Sequence, residues 1–520
     1  NQPARRVTPW MRLTMVLRIL LELRLPDLQA AGHFMHLQWG GLWGPLRWVN
    51  FFCWAVKQLL VEIPGAAADL QIPRPVSRTP MWLLDQNRWA NHPWQTDPVA
   101  ELPEEVDTLI IGAGFSGAAC AFHWARRNPP GRSLAVVEMD DPASGASGRN
   151  EGLVVMGRYF KMVHDTVLRQ LPTSRPDLDA DQRHQLARQF ARQYCLAAYH
   201  NADLIAETMT AHQFDCDYVR AGWVQARTSS EQESLESSVR MAEQSGFRDW
   251  TRIDPATALS LSGMRLDQPA GFSRQSASWH PAKWVWSLFD VALASDQVQL
   301  FTRTRVESVT GSGPPYRVLT SRGTILADHV LYATESYTPA LAHIFHDLIL
   351  PMQEQAASGT GGPSMMKPHI GISGSWYFAG RYGPRVLFGS GGSRLPDAQA
   401  GRNQPSRFLT RFAAAAMKEH FGPYQLELAN EWSGTVGYTP DEFPIVGSID
   451  DGGCFIIAGM CGSGSGVSFN AARCLVNRIL DRSDEPDDYP AEYFAPSRLL
   501  DPAGHQWPDL EAPPVTGEPG

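Results

Sequence analysis

Hydrophobic positions change character along the chain. Residues 10–25 are mostly apolar but carry Arg12, Arg18, Glu22 and Arg24; residues 46–63, rich in Trp and Phe, carry Arg47, Lys57 and Glu62. Neither reaches the ~18–20 uninterrupted apolar residues of a membrane-spanning helix, and no small-residue cleavage site closes the first as in a secretory signal. The pattern predicts two helices packed on the body of the protein, on a partner subunit, or flat on a membrane surface. Prolines from Pro73 to Pro103 punctuate residues 65–105, which predicts an extended linker.

The folded body begins at Val106. The apolar run 106–111 suits a buried parallel strand, 115–127 has helical spacing, and 134–138 is a second apolar run, so the segment predicts β-α-β. A Gly/Ser-rich loop follows at 142–152. Further on, the spacing predicts a long amphipathic helix over 182–210, a strand over 222–227 and a helix over 229–244. It predicts strands through 298–332 with a turn at 311–315, and a strand pair around Gly383-Pro384 within 376–390. A helix over 407–420, a buried strand over 455–458 and a helix over 468–480 complete the body, and the chain after Pro496 reads as loosely ordered. The class is α/β, mixed with α+β.

Composition narrows the partners. The formal net charge is −9 and no long basic run occurs, which argues against nucleic acid, since phosphate binding needs clustered Lys and Arg. The seven cysteines are scattered and form no CxxC pair, so neither a disulfide framework nor a metal site is indicated; reduced thiols in a cytoplasmic setting fit best.

Gly112-Ala113-Gly114-Phe115-Ser116-Gly117 fits G-x-G-x-x-G, lies between a predicted strand and helix, and is followed 21 positions after Gly117 by Glu138 at the end of the next strand. That context reads as a dinucleotide fingerprint. Gly112 permits the tight turn, Gly114 lets the backbone approach a pyrophosphate, and Gly117 lets the helix pack on the strand. The helix start offers free N–H groups to phosphate. Glu138 can accept the hydroxyl protons of a ribose.

Four further segments carry a family resemblance. Pro142 to Gly152 reads PASGASGRNEG; Asp328 to Tyr337 reads DHVLYATESY; Trp432 to Gly447 reads WSGTVGYTPDEFPIVG; Ala458 to Gly466 reads AGMCGSGSG. Together they resemble the D-amino-acid oxidase-like (DAO) family of flavoproteins, the group of glycine oxidase, sarcosine oxidase and gamma-glutamylputrescine oxidase, over about residues 106–500. The resemblance implies a Rossmann-type FAD-binding domain with an antiparallel-sheet substrate domain, here preceded by a helical N-terminal extension. The implied division is 1–105 for the extension and linker, 106–180, 296–340 and 429–500 for FAD binding, 181–295 mixed, 341–428 for substrate and 501–520 a flexible tail. Implied FAD contacts beyond the fingerprint are Ser147, Gly148, Arg149, Asn150, Glu151, Val306, Ala333, Thr334, Gly459, Gly462, Ser463, Gly464, Ser465 and Gly466. Glu151 departs from the family's usual glycine; it is either a solvated loop acid or a sign of a polar or cationic substrate.

The family's reaction is hydride transfer from the carbon beside nitrogen to flavin N5, with oxygen or another acceptor reoxidising the flavin. No dedicated base is required. Gly434-Thr435-Val436 stands where several relatives carry a flavin-linking cysteine, so non-covalent FAD is expected. Candidate catalytic groups are Tyr377, flanked by Trp376 and Phe378 as an aromatic wall for an ammonium group, and Lys367, as a buried lysine assisting oxygen. Arg381 and Arg385 are candidates for pairing a carboxylate. His280, before the helix-opening Pro281, reads as structural. Three readings stay open: an amine or amino-acid oxidase using oxygen, a membrane-associated dehydrogenase passing electrons to a quinone, and a flavin-holding subunit of a larger complex.

Overall fold

The computed structural model describes residues 9–22, 32, 35, 39–62, 70–71, 76–84, 102–127, 129–155, 160–389, 395–396, 403–450, 452–482 and 489–510. The fingerprint strand Glu105–Ile111 lies at the centre of one sheet. Leu134–Val137 runs parallel to it on one side, with Thr108 opposite Leu134, and Gly323–Tyr332 runs parallel on the other, with Ile111 opposite Tyr332. Val298–Phe301 extends the first side and Cys454–Ala458 the second, both parallel. Layers cover both faces, which is why these strands read as unbroken apolar runs rather than alternations. Helices Phe115–Arg127, Pro281–Ala292 and Gly464–Ile479 pack together over the sheet. The meander Val306–Thr310, Tyr316–Thr320 and Gly323–Tyr332 forms the antiparallel arm.

The second sheet is mostly antiparallel, and its long central pair is Leu350–Gly361 against Leu426–Tyr438. Beyond Leu350–Gly361 come Arg385–Gly389, Phe378–Tyr382 and Gly371–Ser373, then Trp223–Gln225, Ala270–Ser273 and Trp250–Ile253. Gly383-Pro384 is the two-residue turn of the expected strand pair, with Gly383 at φ +56°. The amphipathic helix expected over 182–210 spans Ala180–His212 and opens on a reciprocal Asp179–Gln182 capping box, a signal that stabilises the first turn.

Three expectations need correction. The last body helix begins at Gly464 rather than Ser468; Gly-Ser-Gly has low helix propensity, but tertiary packing overrides it here. The proposed linker 65–105 is not simply extended: Met81 and Trp82 are buried, and Ser77 bonds the backbone of Ala429 and Glu431. Residues 85–101 lie outside the described residues. The tail is held as far as residue 510. Buried Arg498 pairs with Asp441, His505 is buried, and the Gln189 side chain donates to the Asp509 carbonyl. Residues 511–520 lie outside the description.

The N-terminal apolar stretches form helices Pro9–Glu22 and Gly44–Lys57, the latter continued by a short π turn to Glu62. Among the described residues, no helix is long and apolar enough to cross a membrane.

Candidate functional site

A cavity of about 380 Å³ runs from the fingerprint turn to the second sheet. At one end Gly112, Gly114, Phe115 and Ser116 line it, and Glu138 faces them from the end of the next strand. The glycines are sterically required: a Cβ on Gly112 would sit 2.5 Å from the Ala333 carbonyl oxygen, and one on Gly114 2.9 Å from Ser147 Oγ. The Glu138 carboxylate accepts from Ala113 N at 2.7 Å and Asp140 N at 2.9 Å. Burial nevertheless outweighs these bonds and raises its pKa to about 7.

The loop after Glu138 is tied down residue by residue. Ser147 Oγ accepts from Phe115 N at 2.8 Å, joining the loop to the helix start. The Arg149 guanidinium donates to the carbonyls of Ser144 and Ser433. Three aromatic donors from distant segments hold the loop's backbone carbonyls: Trp432 on Arg149 at 2.8 Å, Trp82 on Asn150 at 2.9 Å and Tyr382 on Glu151 at 2.7 Å. Asn150 closes its own turn by accepting from Gly152 N. Ser147, Arg149, Asn150 and Glu151 consequently all line the cavity.

The opposite wall comes from Val306, Ala333, Thr334, Glu335 and Tyr337, and from Met460, Gly462, Gly464 and Ser465 around the start of helix Gly464–Ile479. Glu335 staples these pieces together, accepting from Gly437 N at 2.9 Å and Met460 N at 3.0 Å; burial raises its pKa to about 7. The end facing the second sheet is lined by Glu151, Glu354, Gln355 and Phe378. Glu354 accepts from the Tyr438 hydroxyl at 2.6 Å. The Glu151 pKa is raised to about 7, by burial first and by the Glu354 charge second.

Several expected site residues do not reach the cavity. Gly117, Gly148, Gly459, Ser463 and Gly466 are absent from its lining. Gly117 acts in packing instead, since a Cβ there would strike the Gly112 carbonyl, and a Cβ on Gly148 would meet the Ala143 carbonyl. Gly459 abuts Thr439, Ser463 is the residue before the helix, and Gly466 is buried in its first turn. Tyr377 is 1% exposed in the second sheet's core, its hydroxyl 2.7 Å from His420 Nδ1. Lys367 is exposed and also off the lining. Neither is placed to touch a reacting group. Trp376 packs on Phe412. Arg381 donates to the carbonyls of Met366, Gly361 and Pro363, clamping a loop, and Arg385 also lies away from the cavity. His280 is structural as read: its Nδ1 caps the following helix at Lys283 N.

The contributors missed in the sequence are Trp82, Glu335 and Glu354. A Met-Trp pair inside a proline-rich stretch was the available signal for Trp82, because apolar residues in a linker ask for a burial site. Within the segment 432–447, Thr439 to Pro444 also acquires a physical reading. Thr439 Oγ1 donates to Asp441, Phe443 N donates to Thr439 Oγ1, and Asp441 receives Arg498.

The residues fit an extended dinucleotide: a glycine cradle at a helix start, an acid for a ribose, and a tethered loop continuing along the cavity. The model of the family described as FAD dependent oxidoreductase, DAO, matches residues 107–478. Among curated proteins, the chain is similar to the probable oxidoreductase OrdL of Haemophilus influenzae, 23% identical over 260 residues, 49% of this chain and 54% of that protein. It is also similar to the gamma-glutamylputrescine oxidoreductase of Escherichia coli K12, 25% identical over 251 residues, 46% of this chain and 52% of that protein. The chain thus spans about half the length of these relatives. Among solved structures, the L-proline dehydrogenase of P. horikoshii superposes with a TM-score of 0.60 at 16% identity, covering 76% of this chain and 98% of that one.

Proposed function

The chain belongs to the DAO family of FAD-dependent oxidoreductases, and from that premise we propose that it binds FAD non-covalently and oxidises the C–N bond of an amine or amino acid, with oxygen as acceptor. The single observation that carries the reading is the continuous cavity from the glycine cradle to the Glu151–Glu354–Phe378 wall. Gly112, Gly114, Phe115 and Ser116 would hold the pyrophosphate and Glu138 a ribose. Ser147, Arg149 and Asn150 would follow the ribityl chain, and Gly462, Gly464 and Ser465 would meet the flavin's pyrimidine edge, where a helix start favours negative charge. When bound, FAD would supply the acceptor for the hydride leaving the carbon beside nitrogen, and oxygen would take up that electron pair together with two protons, giving hydrogen peroxide.

The protein's own groups orient and deprotonate. A substrate ammonium is drawn to the Glu151 and Glu354 carboxylates and to the face of Phe378. Hydride loss requires the neutral amine, and the Glu151 carboxylate, its pKa raised to about 7, can accept the ammonium proton near neutral pH. The product imine is then hydrolysed by water to a carbonyl compound and an amine.

Non-covalent binding is supported by the lining, which includes no cysteine or histidine among the described residues. Cys461 comes nearest in sequence, but its thiol lies against Thr439, and burial raises its pKa to about 12. Acid precipitation should leave the yellow chromophore in the supernatant; flavin that stays with the pellet contradicts this. Aerobic turnover of a panel of amines and amino acids, read as one peroxide per imine formed, tests the acceptor. A second reading, with a quinone as acceptor, is favoured by one observation: the exposed apolar helix Gly44–Lys57 rests through Trp54 on Phe412, in the helix that backs the cavity wall. Turnover with a quinone analogue and no peroxide would select it.

A further inference from the structure

Helix Gly44–Lys57 contains no buried residue although most of its positions are apolar. Trp43, Trp48, Val49 and Phe52 are all exposed, Trp43 by 74%. The neighbouring helix Pro9–Glu22 repeats the pattern, with Trp10, Leu13, Leu17 and Leu20 exposed and Leu21 exposed by 86%. Large apolar side chains left exposed on two helices in this way mark an interaction site. An aromatic contact ties helix Gly44–Lys57 to the body: Trp54 meets Phe412 edge-on at 5.8 Å, and Phe51 and Trp39 cluster around Trp54.

Charge selects the occupant. Residues 1–62 contain seven Arg or Lys and three Asp or Glu, whereas the whole chain carries a net −9. The basic residues are interleaved with Trp, Phe and Leu rather than set on a separate block. Amphipathic elements that lie in the headgroup region of a bilayer combine these features: Trp and Leu enter the acyl boundary while cationic groups meet anionic headgroups. Each helix has 14 residues, roughly 21 Å at 1.5 Å per residue, too short for the ~30 Å hydrocarbon core.

We propose that helices Pro9–Glu22 and Gly44–Lys57 form a surface that inserts, in the plane of the membrane, into an anionic lipid leaflet. The anionic bulk of the protein is repelled by the same leaflet, so the N-terminal segment, net cationic in sequence and apolar on its exposed helix positions, is the one presented to it. Helix Arg407–Phe421, which receives Trp54 through Phe412, also carries Thr410, the hydrogen-bond partner of the cavity residue Gln355. The lipid-facing surface is therefore one helix away from the cavity wall. The inference is independent of the reaction proposed above, because lipid binding is read without turnover.

The test is co-sedimentation of the 520-residue holoprotein with phosphatidylcholine vesicles, with and without phosphatidylserine. The expected result is binding to the phosphatidylserine vesicles, weakened by salt, and binding about tenfold or more weaker to phosphatidylcholine alone. The double variant Trp43→Asp/Phe52→Asp should lose binding by a comparable factor with an unchanged flavin spectrum. Leu21→Asp, on the other helix, provides a second variant should the first misfold. No binding by the wild type to either vesicle, or undiminished binding by both variants, overturns the proposal. So does a wild type that is dimeric without lipid while the double variant is monomeric, since the face would then be covered by a second copy.

Discussion

The Trp82 indole N–H donates to the Asn150 carbonyl at 2.9 Å, although 68 residues separate the two in sequence. The same ring lies edge-on to Tyr382, centroids 4.9 Å apart, and Tyr382 donates to the next carbonyl of the loop, that of Glu151. A short segment ahead of the dinucleotide fold thus fixes the loop that continues the cofactor cradle.

Trp82→Ala should cost about 3–5 kcal/mol, the usual range for truncating a buried large aromatic, and should lower the flavin content of the purified protein. Trp82→Phe keeps most of the volume and loses the bond to Asn150, costing about 1–3 kcal/mol. Urea unfolding and the flavin-to-protein absorbance ratio check both. A Trp82→Ala protein with normal stability and full flavin would remove Trp82 from this role.

Glu151 gives a pH prediction for the flavin-free protein. Its pKa is raised from 4.5 to about 7, so the folded state favours the neutral acid. Stability from this group is present below pH 4.5 and is lost as pH rises to about 7. Glu151→Gln should therefore match the wild type at low pH and become progressively more stable than it between pH 4.5 and 7, with a constant advantage above. His123, whose pKa burial lowers to about 3, has the opposite slope, but it cancels in the difference between the two proteins. A difference that does not vary with pH would contradict the assignment.

Buried Arg498 pairs with half-buried Asp441, Nε to Oδ2 at 2.6 Å, and also donates to the carbonyls of Phe494 and Phe443. Arg498→Ala leaves the half-buried Asp441 carboxylate without its cation and should cost about 3–5 kcal/mol. The double change Arg498→Met/Asp441→Leu should recover part of that loss. Chemical denaturation of the three proteins decides it; equal stability of Arg498→Ala and wild type would contradict the reading.

The legible part of the site was the part built locally. Gly112 to Gly117 and Glu138 lie within one β-α-β unit, where strand, turn and helix dictate which residues face a ligand. The far wall was less legible because it is assembled from strands distant in sequence, and strand parity decides which neighbour faces the cavity. Tyr377 and Phe378 are adjacent, yet Tyr377 enters the core and Phe378 lines the cavity. Within the glycine loops the residue type was right but its purpose was ambiguous. Gly114 makes room at the cavity, whereas Gly117 makes room for a helix against the Gly112 carbonyl, and composition alone cannot separate the two.

A flavin in this cavity that takes electrons from a C–N bond must be reduced by substrate alone. Anaerobic titration of the purified holoprotein with amines and amino acids, following the flavin absorbance, measures this. At least one of them is expected to bleach the oxidised flavin band, with a stoichiometric carbonyl product formed. Flavin that stays oxidised across the panel yet is reduced by dithionite would contradict it and leave a flavin-holding subunit in its place.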